Sequence, residues 1–532
     1  MKLYRAFFTV GGLTIISRVL GFVRDILFAW AFGSGLVADA FNVGFRFPNL
    51  FRRLFGEGAF NSAFIPLFAK RLEGEGHAEA HAFAEEALAG LLLVLSIVTV
   101  VGIVFMPWLM YVIAPGFSNN PVKFDLAILL TRIMFPYLMC MSVVALMSGV
   151  LNSFGKFAES SAVSIVLNIT LTAAIFAGIA LGFQNTAEGG IVQAIGVFVA
   201  GLLQLALLMD GLRRAGFRLG LRRPKLTDGM RRLVALGVPG IISGGVTQIN
   251  IVIGTVIASL EPGAVSQLYY ADRLYQLPLA IVGIAIGVVL LPDVARNLRA
   301  GNEAAVMDSQ TRSLEFGLLL TLPAAAALAV VPEEIIRVLF ERGAFSPTDT
   351  HATAAALAIF AWGLPAFVMI KVFSPGYFAR EDTRSPMRFA TISLVANTLG
   401  SIGLFYLFRS MGYLPLLGIA LASALGGWLN AGLLWGGLVY RRHFIIDARA
   451  RRALPLIVLG SAVMGVALWF GAQALAPWLS SAQPLWSKLG ALSALIGGAI
   501  TLYGVAMVAM GVLRMSMFRR RGKPAASVDA ST

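Results

Sequence analysis

Disulfide bracing is excluded, because the 532-residue sequence holds one cysteine, Cys140. Its four histidines, His77, His81, His351 and His443, are too scattered to form a metal site. Only His77 and His81 share i,i+4 spacing, and with Glu75 and Glu79 beside them they read as a solvated loop or helix end. No G-x-x-x-x-G-K-[ST] phosphate loop occurs, which argues against ATP as a direct energy source. Charge is scarce at 13% of residues, whereas hydrophobic residues reach 58% and mean hydropathy is +0.81. A soluble domain carries roughly 45–50% apolar residues, so this is a membrane chain.

Met1-Lys2-Leu3-Tyr4-Arg5 imitates the start of a signal peptide, but the apolar run behind it is long, interrupted by Arg18 and without a small-residue cleavage site. It is expected to remain as a first span. About fourteen segments are long enough to cross roughly 30 Å of hydrocarbon as helices. They fall near 6–32, 37–55, 82–113, 124–152, 160–183, 189–212, 230–258, 265–292, 313–340, 350–378, 386–409, 414–440, 453–476 and 486–513. Pro48, Pro136, Pro278 and Pro365 lie within or near these spans and are expected to kink them.

With a cytoplasmic amino terminus, 29 of the 42 basic residues fall in cytoplasmic connections or tails, five on or near the other side and eight inside spans. That asymmetry predicts both termini in the cytoplasm. It also explains most of the +15 net charge through loops facing anionic membrane lipids, with no call for nucleic acid.

An internal repeat recurs at an offset of about 230 residues. Ala40–Pro48 aligns with Tyr270–Pro278, and the 32-residue separation of Pro136 and Asn168 recurs between Pro365 and Asn397. An even number of crossings separates the copies, which predicts a parallel repeat. The expected fold is an all-α integral membrane protein with two six-helix lobes around a central cationic cavity and two appended helices. The expected divisions are an N-lobe at 1–223, a C-lobe at 224–442, spans thirteen and fourteen at 443–513, and a basic cytoplasmic tail at 514–532.

The eight cations inside spans are Arg18, Arg24, Arg46, Arg52, Arg53, Arg132, Arg273 and Lys371. Each costs on the order of 2.5–3.5 kcal/mol at the centre of a spanning helix, so each needs a partner or a task. In the second span Asp39, Asn42, Arg46, Asn49 and Arg53 recur at steps of three and four and form one polar stripe. In the first, Ser17, Gly21 and Arg24 share a face, and Arg18 and Asp25 are placed for a local pair. Tyr269, Asp272, Arg273 and Gln276 form a comparable face in the eighth, and Lys371 stands alone in its span.

Bland readings compete at several of these positions. Snorkelling or a helix-end ion pair serves Arg52, Arg53 and Glu57 as well as substrate contact does, Arg46 can line a cavity edge, and Arg132 reads as structural or periplasm-facing. Arg18, Arg24, Arg273 and Lys371 lack sufficient local neutralisation and favour an anionic ligand. Asp25 and Asp39 read as partners that hold arginine rotamers.

The runs Ser17–Asp25, Asp39–Phe60 and Tyr269–Leu274 resemble the MurJ (MviN) family of lipid II flippases, and the similarity extends over nearly the whole chain. The resemblance implies the multidrug/oligosaccharidyl-lipid/polysaccharide exporter fold with alternating access, in the bacterial inner membrane. It implies as cargo the undecaprenyl-diphosphate-linked disaccharide-pentapeptide lipid II, moved from the cytoplasmic to the periplasmic leaflet, and cell-wall synthesis machinery as a possible partner. It calls for no cofactor, and it assigns the lipid tail to a groove bordered by spans thirteen and fourteen. Mapped onto matching positions, Arg18, Arg24, Arg52, Arg53, Arg273, Lys371 and Asn49 become substrate contacts. Ser17, Asp25, Asp39, Glu57 and Arg46 become supporting or gating residues. Some relatives carry an acid where this chain has Gln276, so a coupling scheme needing a carboxylate there is in doubt.

Diphosphate oxygens match the planar donor forks of arginine. An inside-negative potential favours outward movement of such an anion by about 2.3 kcal/mol per charge per 100 mV. A flippase for another polyprenyl-linked glycan and a cation-coupled drug exporter remain alternatives, the latter disfavoured by a cationic interior. A membrane enzyme acting on polyprenyl phosphates is the third; Asp25, Asp39 and Glu57, fourteen and eighteen residues apart, make no compact acidic motif for it.

Overall fold

The computed structural model describes residues 2–51 and 59–513. Of the described residues 84% are helical, and none lies in a strand. In order the helices are α1 (Lys2–Phe32), α2 (Leu36–Phe51), α3 (Ala59–Gly74), α4 (His77–Val104), α5 (Met106–Ile113), α6 (Pro121–Met134) and α7 (Tyr137–Ser153). Next come α8 (Phe157–Ala180), α9 (Ala187–Arg214), α10 (Asp228–Ala258), α11 (Ala264–Arg299), α12 (Glu303–Val330) and α13 (Pro332–Phe340). The last are α14 (Pro347–Phe378), α15 (Arg384–Ser410), α16 (Leu416–Tyr440), α17 (Ala448–Ala474), α18 (Ala476–Leu479) and α19 (Leu485–Ala509).

Among the described residues, ten helical stretches are long and apolar enough to cross a membrane, the α6–α7 pair counting as one. The four other expected spans coincide with α1, α2, α10 and α11. Side-chain caps fix several starts. Asn120, Thr186, Thr227, Asn302 and Asp447 each accept the backbone N–H three residues on, satisfying donors that the first turn leaves open.

Three expected spans are interrupted. The segment near 82–113 breaks at Phe105, between α4 and α5, because Pro107 has no N–H to offer the carbonyl of Ile103. Arg132 takes over that carbonyl, its Nε donating at 3.0 Å, which gives this intramembrane cation a structural task. The segment near 124–152 breaks at Phe135–Pro136, and that near 313–340 at Val331, ahead of Pro332. Pro48, Pro278 and Pro365, by contrast, sit inside continuous helices. Helix α3 lies where no span was expected.

The chain forms two compact units. Unit 1 comprises 1–270, 339–352 and 401–419; unit 2 comprises 271–338, 353–400 and 420–532. In unit 1, α8 packs between α1 and α9, α2 against α6, and α7 against α9. The segment 339–352 docks on the α1–α2 junction: Ala344 N–H donates to the Trp30 carbonyl at 3.0 Å, and Ser34 Oγ donates to Asp349 at 2.5 Å. Gly33, at φ +62°, is required there, since a β-carbon would collide with the Ala344 carbonyl oxygen. Phe340, Phe345 and Tyr270 close an aromatic cluster beside it, and the Tyr270 hydroxyl donates to the Gly33 carbonyl at 2.8 Å.

In unit 2 the core is shared by α11, α12, α14 and α16, through Val282, Ile286, Leu314, Val368, Phe373, Tyr377 and Leu434. Helix α12 also packs on α17, and α17 on α19.

Candidate functional site

In unit 1, the polar side chains of α1 divide into two kinds. Arg24 is 8% exposed and Asp25 3%. The Arg24 Nη2 and Nε donate to Asp25 Oδ1 at 2.6 and 3.2 Å, and the Tyr269 hydroxyl donates to the same oxygen at 3.0 Å. Asn168 of α8 accepts from Arg24 Nη1 at 3.0 Å and donates to the Ser17 carbonyl at 2.9 Å. Helix α8 comes this close because Gly21 presents no side chain; a β-carbon there would lie 3.3 Å from Asn168 Nδ2. Burying a guanidinium is tolerable when a carboxylate and neutral acceptors replace its water, as Asp25 and Asn168 do for Arg24. The pairing differs from the expected one: Asp25 engages Arg24, its neighbour in sequence, rather than Arg18.

Arg18 is exposed from the protein and has no hydrogen bond or ion pair among the described residues. Ile15, Ile16 and Val19 around it are likewise exposed.

The stripe on α2 is split. Asp39 is fully buried, with Oδ2 held by Lys123 Nζ at 2.5 Å and Gly263 N–H at 2.9 Å, and Oδ1 by Ser266 N–H at 3.0 Å and Ser266 Oγ at 2.7 Å. Asn42 continues this network, its amide donating to Ser266 Oγ at 3.1 Å. The carboxylate meets open amide groups at the start of α11, where a helix favours negative charge. Farther along α2, Arg46 and Asn49 are partly exposed, and Arg46 Nη1 makes a long 3.4 Å contact with the Ile251 carbonyl. Arg52, Arg53 and Glu57 lie outside the described residues.

In unit 2, Arg273 is half-buried on α11, one turn before Gln276, whose amide bonds Asp272. Lys371 on α14 is exposed, with no hydrogen bond or ion pair among the described residues. Its stem lies over α11 at Gly283, where Cδ and Cε come within 2.9 Å of the position a β-carbon would take. Unit 2 also carries an apolar groove of about 630 Å³ between α12, α14, α16 and α17, with Ala325, Ala329, Pro365 and Val466 on its walls and three tryptophans, Trp362, Trp428 and Trp469. Trp428 Nε1 donates to the Trp362 carbonyl at 3.1 Å, so an apolar face can point into the groove without stranding that N–H.

Sequence reasoning named Ser17, Arg24, Asp25 and Tyr269, which the fold brings together. The sequence alone does not single out Lys123, and it marks Asn168 only through the internal repeat. The repeat was the available signal for Asn168, since a polar residue at matching depth in both copies lies in an otherwise apolar helix.

These features define a class of protein, a polytopic helical transporter. A solved structure described as the inward-facing conformation of a multidrug resistance MATE family transporter of the MOP superfamily matches with a TM-score of 0.65 at 15% identity, covering 80% of this chain and 95% of its own. Another, described as lipid II flippase MurJ in an inward closed conformation, matches with a TM-score of 0.76 at 24% identity, covering 95% and 99%. The family model described as lipid II flippase MurJ matches residues 28–487. A probable lipid II flippase MurJ of Rhizobium meliloti (strain 1021) is 47% identical, with 100% of this chain and 99% of the relative covered. That of Rickettsia prowazekii (strain Madrid E) is 34% identical over 88% and 90%. The chain belongs to the lipid II flippase MurJ family.

Proposed function

We propose that this protein flips lipid II, carrying the diphosphate-linked headgroup from the cytoplasmic to the periplasmic leaflet of the bacterial inner membrane while the polyprenyl tail stays in lipid. The observation that carries the proposal is Arg18, an exposed guanidinium without a protein partner among the described residues, standing in the apolar helix α1 of a MurJ family member. A bare cation in that setting is stabilised by a multiply anionic ligand. Arg24, Arg52, Arg53, Arg273, Lys371 and Asn49 complete the proposed contacts, with Ser17, Asp25, Asp39, Glu57 and Arg46 in support. Arg24 engages substrate by exchanging Asp25 for phosphate oxygens. The apolar groove of unit 2 takes the lipid tail.

The finer architecture belongs to the same proposal. It has fourteen spans, lobes at 1–223 and 224–442 around a cationic cavity, tail-binding spans at 443–513, and both termini in the cytoplasm. The lobes alternate access, membrane potential drives the anion outward, and cell-wall synthases are partners.

Purified protein in vesicles with labelled lipid II tests it. The expected result is a change of leaflet with no change of mass, faster under an inside-negative potential. A new product of different mass would point to an enzyme, and movement of a cationic drug but no lipid II to an exporter; either defeats the proposal.

A further inference from the structure

A strap between α9 and α10 is fixed to the surface of unit 1 and carries cations that the transport proposal does not use. Eight basic residues and a single acidic one, Asp228, fall between Arg213 and Arg232. The strap is anchored at both ends. Phe217 is 4% exposed, in ring contact with Phe68, Phe154 and His81. The Glu85 carboxylate accepts Gly220 N–H at 2.7 Å and pairs with Arg222 Nε at 2.5 Å, while Thr227 Oγ1 donates to Glu86 at 2.7 Å.

This bracing leaves a cavity of about 280 Å³ lined by Glu86, Arg222, Arg223 and Lys225. Arg222 is committed to Glu85, but Arg223 and Lys225 are exposed and have no hydrogen bond or ion pair among the described residues. Pro224 between them restrains the backbone, so the two cations are held beside one another rather than on a free tether.

The strap also lies at the depth where the bilayer begins. On α4 the exposed apolar face opens at Leu93 and Val94, seven residues beyond Glu86 and so about 10 Å along the helix. On α10 it opens at Val234, and on α9 it ends near Met209. Two leucines of the strap point outward, Leu221 at 79% and Leu226 at 66% exposure, one on each side of the cations. Cations flanked by exposed leucines at that depth suit a ligand with an anionic head and an apolar body, not a soluble anion.

We infer that the strap is a docking site for the headgroup of an acidic phospholipid in the adjacent leaflet, with Arg223 and Lys225 binding the phosphate and Leu221 and Leu226 entering the acyl region.

The test uses full-length protein in neutral detergent, incubated with equimolar phosphatidylglycerol and phosphatidylcholine and weighed intact to count the lipid retained. Wild type is expected to retain phosphatidylglycerol in preference, and R223Q/K225Q to bind it roughly tenfold or more weakly, since each basic residue near an anionic surface contributes severalfold. R213Q/R214Q removes the same charge away from the cavity and is expected to retain the lipid. L221S/L226S is expected to lose it with all cations in place. All six positions are exposed, so unchanged melting temperatures are expected to accompany these effects. The inference fails if R223Q/K225Q keeps wild-type retention or if R213Q/R214Q loses as much. It also fails if millimolar inorganic phosphate displaces the lipid from wild type, which would make the site one for a soluble anion.

Discussion

Lys123 on α6 places its Nζ 2.5 Å from Oδ2 of Asp39 on α2, with both side chains almost wholly withdrawn from solvent. A buried pair of this kind adds little over a well-packed apolar pair, yet losing one partner leaves an uncompensated charge. K123M is therefore expected to cost about 3–5 kcal/mol and D39N a comparable amount. The double variant is expected to recover part of the sum, which melting temperatures in detergent would reveal as non-additivity. Additive losses would mean that the two residues do not act as a pair.

Arg18 and Arg24 separate a binding role from a structural one. Arg18 has no hydrogen-bond or ion-pair partner among the described residues, so R18Q is expected to keep the wild-type melting temperature while lipid II movement in vesicles drops at least tenfold. R24Q removes a cation paired with buried Asp25, so it is expected to lower both stability and transport. If R18Q melts early and still transports, the assignment of Arg18 to substrate is wrong.

Arg132 is expected to act only on stability. Its Nε serves the Ile103 carbonyl that Pro107 cannot, and R132L leaves that acceptor open at a cost of about 1–3 kcal/mol. Once the variant is folded, its lipid II movement should match wild type; a transport defect at full stability would contradict this.

A pH dependence follows from Asp382 in the joint between α14 and α15. The Ser385 hydroxyl and N–H, and then Arg441, hold its carboxyl well below the usual range. The folded value lies beneath the unfolded one, so its contribution is complete at neutral pH and is lost as pH falls below about 4 toward the depressed value. D382N is expected to melt earlier than wild type at pH 7, with the gap shrinking in acid. A gap independent of pH would rule out ionisation as its source.

Hydropathy makes the helical, membrane-spanning character legible, because long apolar runs have no other stable setting. It is silent about Phe105 and Val331, where proline removes a backbone donor without lowering apolarity, and about α3, whose sequence is not apolar enough to register. The site was half legible for a related reason. A charge inside an apolar helix announces itself, as Arg18 and Arg24 do, but its partner is set by packing. Asp25 and Arg24 are adjacent on the helix, about 100° apart, and only the length of the guanidinium stem lets them meet. Lys123 lies 84 residues from Asp39, and nothing local links them.

Unit 1 is assembled from pieces that the ribosome delivers at widely separated times. Residues 1–270 emerge first, 339–352 follow after a stretch belonging to the other unit, and 401–419 come last. Until translation has passed residue 352, Gly33 and Ser34 wait without the Ala344 and Asp349 neighbours that later cover them, and a fragment ending after α9 cannot mature into this unit. Completion is thus a late event in biogenesis, and nascent chains stalled before residue 339 should present the α1–α2 corner to quality-control proteases that the finished protein resists.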